Sequence, residues 1–316
     1  MSQHDGIALE LRLRPMNMNW QGVMPAITTP FDEKLEVDHT FLARHASWMV
    51  DAGCSGIVAL GSLGEGATLQ EDEKIAVLKT CIGAVGQRVP VVAAISALST
   101  SDAVRLARRA ADAGCSGLMV LPPYVYSTDW REMKAHMVAV LRATKLSCML
   151  YNNPIAYRTD FLPEQVAELA AEHENLQAIK ESSADVRRLA AIRSLIGTRL
   201  ALFIGVDDLI VEGIDAGAVG WIAGLVNALP VESVQLFERA SRSRRESAFE
   251  LYRWFLPLLR LDTVTKFVQL IKLVQAEVGM GSPRVRPPRL ELAGEEREAA
   301  LRTIRDCLAS RPEMAR

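Results

Sequence analysis

The hexapeptide Asp51-Ala-Gly-Cys-Ser-Gly56 recurs letter for letter as Asp112-Ala-Gly-Cys-Ser-Gly117, and a looser third copy reads Asp215-Ala-Gly-Ala-Val-Gly220. Each copy follows a stretch of helical period and precedes a short apolar run, at residues 57–60, 118–121 and 221–223. A helix ending on a glycine with positive φ, a turn of two or three residues and a buried strand account for that order. The first two copies lie 61 residues apart, which is two β/α units of about 30 residues each.

Working outward, eight apolar runs mark candidate strands at residues 22–28, 57–60, 89–95, 118–121, 147–151, 176–180, 200–204 and 219–223. Amphipathic stretches separate them, and several carry start signals. Thr68-Leu-Gln-Glu71 has the form of a capping box, Pro163 suits a first helical turn, and the Ser99 to Asp102 cluster offers N-cap side chains. Strict β/α alternation with continuously apolar strands predicts a parallel sheet covered by helices. Eight such units in about 225 residues make an α/β fold, a (β/α)8 TIM barrel of ordinary size. A doubly wound open sheet is the runner-up, but no strand carries its Gly-x-Gly-x-x-Gly fingerprint. Helical periods at 246–259, 263–278 and 295–309 predict a C-terminal helical extension, with Pro283, Pro287 and Pro288 breaking the path between the last two. The expected division is an N-terminal extension at 1–18, the barrel at 19–245 and a helical layer packed on it at 246–316.

Composition excludes whole classes of partner. The 316 residues carry 36 basic against 38 acidic side chains, a formal charge of −2, without the basic face of a nucleic-acid binder. No run of 18 apolar residues marks a membrane span, and residues 1–15 lack the apolar core of a secretory signal. The five cysteines, at 54, 81, 115, 148 and 307, form no Cys-x-x-Cys pair. They read as buried free thiols of a reducing compartment, with the cytoplasm as the expected location. Only eight of the basic residues are lysines, which makes the place of each one informative.

In a barrel, chemistry sits where strands end and β→α loops begin. The sixth run ends Gln177-Ala-Ile-Lys180, and Lys180 is the only lysine that closes an apolar strand. Desolvation there favours the neutral amine, which attacks carbonyls and imines to form a Schiff base. Pairing with Glu181 is the plainer alternative. The fifth run ends at Tyr151, where a phenol either shuttles a proton to such an intermediate or simply packs with its hydroxyl satisfied. After the second run comes Gly61-Ser-Leu-Gly-Glu-Gly66, whose glycines let backbone N–H groups converge on an anion while Ser62 adds a hydroxyl. Without a following lysine the loop suits a carboxylate better than a phosphate, and a tight turn is its plain alternative. The seventh run leads into Gly205-Val-Asp-Asp208, where Asp207 or Asp208 as the N-cap of the next helix outranks metal binding or acid–base work. The histidines, at 4, 39, 45, 136 and 173, fall in helices or the N-terminal stretch. That speaks against a zinc or iron site and against a Ser-His-Asp or Cys-His nucleophile.

Gly61-Ser-Leu-Gly-Glu65, Tyr151-Asn-Asn-Pro154, Lys180-Glu-Ser-Ser183 and Gly205-Val-Asp-Asp208 together resemble the dihydrodipicolinate synthase / N-acetylneuraminate lyase superfamily. The resemblance runs from Gly22-Val-Met-Pro-Ala-Ile-Thr-Thr-Pro-Phe31 to Arg286-Pro-Pro288. It implies a class I, Schiff-base barrel acting on a small 2-oxo acid or cyclic imino acid, with no external cofactor and no metal. It also implies a homotetramer built from tight dimers. By this resemblance Lys180 forms the Schiff base, Tyr151 is the proton shuttle, Ser62 links it to a second tyrosine, and Tyr124 reaches across the dimer interface. Ser62, Leu63 and Gly64 correspond to the cradle for the substrate carboxylate, and Val206 and Ile222 complete the expected substrate-binding set.

Two departures matter. Leu63 stands where synthase and neuraminate lyase members usually carry threonine. Where the synthase has an arginine for the aspartate-semialdehyde carboxylate, five residues after the shuttle tyrosine, this chain has Ala156, with Arg158 two positions later. Loss of a bidentate clamp on a buried carboxylate costs about 2–5 kcal/mol, which disfavours 4-hydroxy-tetrahydrodipicolinate synthesis. Tyr151-Asn-Asn-Pro-Ile-Ala-Tyr157, Gly224-Leu-Val-Asn-Ala228 and Leu251-Tyr-Arg-Trp-Phe-Leu-Pro-Leu-Leu259 look like the branch from bacterial hydroxyproline catabolism, Δ1-pyrroline-4-hydroxy-2-carboxylate deaminase. That substrate carries a single carboxylate, in keeping with Ala156. The alternatives are the synthase or another pyruvate-dependent aldolase and, in a different class, a catalytically silent small-molecule-binding barrel.

Overall fold

The computed structural model describes residues 18–123, 128–242 and 245–314. Eight strands appear where apolar runs predict them: β1 (Gly22–Pro25), β2 (Ile57–Ala59), β3 (Val91–Ile95), β4 (Gly117–Val120), β5 (Ser147–Asn152), β6 (Leu176–Glu181), β7 (Ala201–Ile204) and β8 (Gly220–Ala223). They pair in the order β1-β8-β7-β6-β5-β4-β3-β2, every ladder parallel. A single parallel bridge from Ala26 to Val58, with Ile27 N–H donating to Val58 O at 2.9 Å, brings β1 against β2 and closes the ring. The fold is a (β/α)8 barrel. The run at 22–28 is therefore only partly strand, because beyond Pro25 the chain turns to make that one closing bridge.

The repeat works as its residues require. Gly53, Gly114 and Gly217, the third residue of each copy, adopt φ of 103°, 98° and 102°, a region costly for any residue with a Cβ. Gly114 caps the helix Thr100–Ala113, and its N–H returns to the carbonyls of Ala110 and Ala111. Helix starts also follow local chemistry. Ser99 accepts from Asp102 N–H, and Pro163 opens the helix Pro163–Glu172. One start signal is misplaced: Thr68 ends a short 3₁₀ turn, its hydroxyl donating to Glu65 O at 2.9 Å. The helix begins at Glu71 instead, where the Glu73 carboxylate accepts from Gln70 N–H at 2.7 Å. The preceding loop uses Thr68 to close its own turn, which leaves it unavailable as a cap.

One end of the barrel is sealed by Trp20, whose indole N–H donates to Ser147 Oγ at 2.7 Å and whose ring meets Phe203 edge to face at 6.1 Å. After the barrel come helices Arg245–Leu259, Phe267–Glu277 and Gly294–Ala309. In Phe267–Glu277 every residue from Val268 to Gln275 is buried, so its polar side chains need internal partners. They have them: Gln275 Oε1 accepts from Thr28 Oγ1 at 2.9 Å, and Lys272 meets Glu65. Among the described residues no helix is long and apolar enough to cross a membrane.

Candidate active site

Strands β5 and β6 pair with Tyr151 opposite Lys180 and Asn152 opposite Glu181. Since side chains alternate along a strand, Tyr151 and Lys180 share one face, and Glu181 takes the other. The Lys180 ammonium nitrogen lies 4.3 Å from the centre of the Tyr151 ring, and the two residues are only 6% and 4% exposed. Glu181 is held elsewhere, its carboxylate accepting from Asn152 Nδ2 at 3.1 Å and Ser183 N–H at 2.7 Å. It is not the partner of Lys180. Burial drives the Lys180 amine down from the ordinary lysine range, against an upward pull from Asp262 and Asp207. Room for its stem comes from Gly205, just past β7, where a Cβ would stand 2.3 Å from Lys180 Cε.

The Tyr151 hydroxyl accepts from Asn153 Nδ2 at 2.9 Å. Burial raises its pKa, while Asn153 and the nearby hydroxyls of Ser182 and Ser62 draw it back. Ser62 Oγ hydrogen-bonds the hydroxyl of Tyr157, and the Tyr157 ring stands edge-on to Tyr151 with centroids 5.9 Å apart. A tyrosine–serine–tyrosine group is thus assembled within one chain. The expected interface tyrosine, Tyr124, lies outside the described residues, and the tyrosine that Ser62 meets here is Tyr157, to which the sequence assigns no role. The signal was in the motif itself, six residues after Tyr151. The four-residue helix Pro154–Tyr157, started by Pro154 and capped by the Asn153 side chain, folds the chain back far enough for the two rings to meet.

The loop after β2 is held in a strained shape. Leu60 and Glu65 adopt φ of 69° and 52°, and Thr29 Oγ1 fixes Gly64 O at 2.6 Å. Glu65 and Gly66 N–H groups bond back to Ser62 O and Gly61 O at 3.1 and 3.2 Å. The N–H groups of Ser62 and Leu63 meet no acceptor among the described residues. Leu63 and Gly64 are buried and Ser62 is half-buried. Glu65, fully buried, serves as an anchor: Lys272 Nζ lies 2.5 Å from one oxygen and Arg286 N–H donates to the other at 3.0 Å. Among the described residues, four of the five non-glycine residues with positive φ, Leu60, Glu65, Arg158 and Ala184, lie in the loops after β2, β5 and β6. Strain of about 1–3 kcal/mol each is concentrated where the polar groups converge.

Two carboxylates face the lysine. Asp207 does not cap the helix that follows it. Its carboxylate instead accepts from Trp221 Nε1 at 3.1 Å, Gly224 N–H at 3.1 Å and Leu225 N–H at 2.8 Å. Those three donors, left by the end of β8 and the turn after it, outcompete the N-cap arrangement expected from sequence. Burial nevertheless raises Asp207 to about 6. The second acid, Asp262, comes from the 3₁₀ turn Arg260–Asp262 and was not anticipated. Its carboxylate lies over Gly224, where a Cβ would be 2.0 Å from Oδ1. No strand-end signal marks it, because it arrives from the helical extension. Val206 is half-buried beside Gly205, and Ile222, inside β8, shares the face of Gly220 and is buried. Ala156 and Arg158 are both exposed, and Arg158 makes no side-chain hydrogen bond or ion pair among the described residues. No cluster of three or more metal-binding side chains occurs among those residues either.

A barrel whose mouth joins a buried lysine, a tyrosine–serine pair and a glycine-rich loop is of the carbonyl-activating aldolase type. The chain belongs to the dihydrodipicolinate synthetase family, whose model matches residues 19–307. Enzymes of this lyase/aldolase family work through a covalent lysine Schiff base with pyruvate and no external cofactor. It is 29% identical over 282 residues to the 4-hydroxy-tetrahydrodipicolinate synthase of Agrobacterium fabrum, covering 89% of this chain and 96% of that one. To the enzyme of the same name from Macrococcus caseolyticus it is 28% identical, covering 89% and 94%. The crystal structure of a Bacillus anthracis dihydrodipicolinate synthase superposes with a TM-score of 0.88 at 26% identity, covering 94% of this chain and all of that one.

Proposed function

We propose that this chain is a Schiff-base deaminase of Δ1-pyrroline-4-hydroxy-2-carboxylate. Lys180 adds to the ring C=N carbon, and the ring opens to a Schiff base that carries a free amine. Tyr151, in contact through Ser62 with Tyr157, takes a proton from C3, and the C4 hydroxyl departs as water. Hydrolysis at both nitrogen-bearing carbons then gives 2-oxoglutarate semialdehyde and ammonia, with one net water consumed. The cradle at Ser62, Leu63 and Gly64 receives the carboxylate, while Val206 and Ile222 line the walls.

The observation that carries this reading is that, among the described residues, no cation stands beside Lys180 to meet a second substrate carboxylate. A second substrate carboxylate would need a cation, but Ala156 and Arg158 are exposed and the side facing Lys180 presents Asp207 and Asp262. A second reading, condensation of pyruvate with aspartate semialdehyde, is favoured by the names of the relatives at 28–29% identity. One panel separates them: ammonia release from the hydroxylated pyrroline, condensation of pyruvate with aspartate semialdehyde, and cleavage of sialic and sugar acids. Turnover only in the condensation arm overturns the deaminase. Absence of any borohydride-trapped adduct on Lys180, with every 2-oxo or imino acid tested, overturns Schiff-base catalysis by this residue. A tetramer of tight dimers belongs to the same proposal, and sedimentation of the purified protein tests it.

A further inference from the structure

Among the described residues, Asp262 is an acid at the mouth whose buried oxygen has no partner. Asp207, close by, spends its oxygens on three donors. Asp262 Oδ1 is shut off from water and makes no hydrogen bond among the described residues, although the residue as a whole keeps some exposure. A buried oxygen left unpaired costs about 1–3 kcal/mol, and such an atom in a native site calls for a ligand. Its position is defined by two close approaches on neighbouring strand ends. The Lys180 stem crosses Gly205 after β7, and the Asp262 carboxyl lies on Gly224 after β8. With Tyr151 on β5, the polar groups run round the rim as phenol, amine and acid. Asp262 therefore reaches the mouth from the β8 side, within electrostatic range of both Lys180 and Tyr151.

We infer that Asp262 is the acid that hydrogen-bonds the substrate's C4 hydroxyl and protonates it as it leaves. This rests on the deaminase reading and assigns the step that reading leaves without a donor. After Tyr151 has taken the C3 proton, the enamine nitrogen of Lys180 pushes its pair toward C2. The C2–C3 double bond shifts to C3–C4, and the C4–O bond breaks. The departing oxygen keeps that bonding pair and takes the Asp262 proton, so water leaves and Asp262 becomes a carboxylate. That carboxylate then removes a proton from C5, which restores the acid and moves unsaturation toward the C5 amine, ready for hydrolysis. An aspartic acid serves here only if it stays protonated near neutral pH. The groups facing it are Lys180, Asp207, Asp208 and Tyr151, and burial together with the charge of Asp207 holds its pKa well above the ordinary carboxylate range.

The test uses the full chain and three probes: pyruvate, the hydroxylated pyrroline carboxylate and the same ring without the hydroxyl. In D262N, borohydride with pyruvate is expected to mark Lys180 within about threefold of wild type, which reports an intact fold and amine. Ammonia release from the hydroxylated ring should fall in kcat by about 100-fold or more, the usual weight of a general acid, with KM within about threefold because the amide still donates to the hydroxyl. In D262A the hydroxyl contact is gone as well. The preference for trapping the hydroxylated over the plain ring, expected at about tenfold in wild type for one hydrogen bond to a charged or acidic group, should vanish. Undiminished kcat in D262N, or an unchanged trapping preference in D262A, overturns the assignment. If wild type releases no ammonia at all, the deaminase reading falls. The trapping comparison then still decides whether Asp262 reads the hydroxyl, and equal trapping of both rings by wild type sinks it.

Discussion

Lys272→Met is the most informative single perturbation of the scaffold beneath the site. Lys272 is 2% exposed and lies 4.5 Å above the Phe31 ring. Its ammonium donates to Glu65 Oε1 at 2.5 Å and to Arg284 O at 2.8 Å. Methionine keeps most of the stem's volume and removes the charge, which leaves the wholly buried Glu65 without its main counter-ion. Breaking a buried pair from one side costs about 3–5 kcal/mol. Glu65 retains Arg286 N–H at 3.0 Å and the Arg289 guanidinium at 3.9 Å, which places the loss near the lower end, about 3 kcal/mol. At roughly 2–4 °C per kcal/mol for a chain of this order of size, the melting midpoint is expected to drop by about 6 °C or more. The pair in which Glu65→Gln is added should recover more than half of that loss, because a neutral amide oxygen still accepts from Arg286. Calorimetry and urea titration read both variants. A single variant within about 1 kcal/mol of wild type, or a double variant no more stable than the single, refutes the account of Glu65 as a charge that needs Lys272.

Three further outcomes follow from the geometry. Tyr157→Phe removes the hydroxyl bonded to Ser62; it should slow C3 proton exchange of bound pyruvate in deuterated buffer by about 10–100-fold, with borohydride trapping on Lys180 retained. Loss of trapping would show that Tyr157 shapes the pocket and has no part in proton transfer. Burial lowers the Lys180 amine to about 8, so the reactive neutral fraction grows as pH rises through that value. The initial trapping rate should therefore climb about tenfold per pH unit below 8 and level off above it, and a midpoint near the ordinary lysine value would contradict the burial argument. Burial pushes the thiols of Cys54, Cys81 and Cys148 up to about 12 and that of Cys115 higher still. Iodoacetamide on the native protein should leave all four untouched and mark at most the half-buried Cys307.

The barrel was legible because its strands announce themselves twice, as continuous apolar runs and through the glycines that precede three of them. The places of Lys180 and Tyr151 were legible for a related reason: each is the polar residue that closes an apolar run, and the register sets the two abreast. What escaped were contacts made across long sequence separations. Asp262 reaches the mouth from a turn beyond the eighth strand, where strand-end logic does not look. Asp207 abandons the local cap for donors on Trp221, Gly224 and Leu225, and no local pattern reveals that competition. Tyr157 was hidden differently. It lay inside a motif already in hand, but only the one-turn helix at Pro154 shows that its ring folds back on Tyr151.

The Glu65–Lys272 contact spans 207 residues, and it has a consequence for how the chain is born. On the ribosome Tyr151 and Lys180 emerge while Glu65 still lacks its counter-ion and Asp262 does not yet exist. The reactive amine is therefore chemically present well before the loop opposite it is locked and the acid beside it is delivered. A chain grown only to the eighth strand has Lys180 but neither the Lys272 counter-ion of Glu65 nor the Asp262 carboxyl. Closing a loop of that length costs entropy before the contact repays it, so the loop after β2 is pinned only once the helix Phe267–Glu277 has docked.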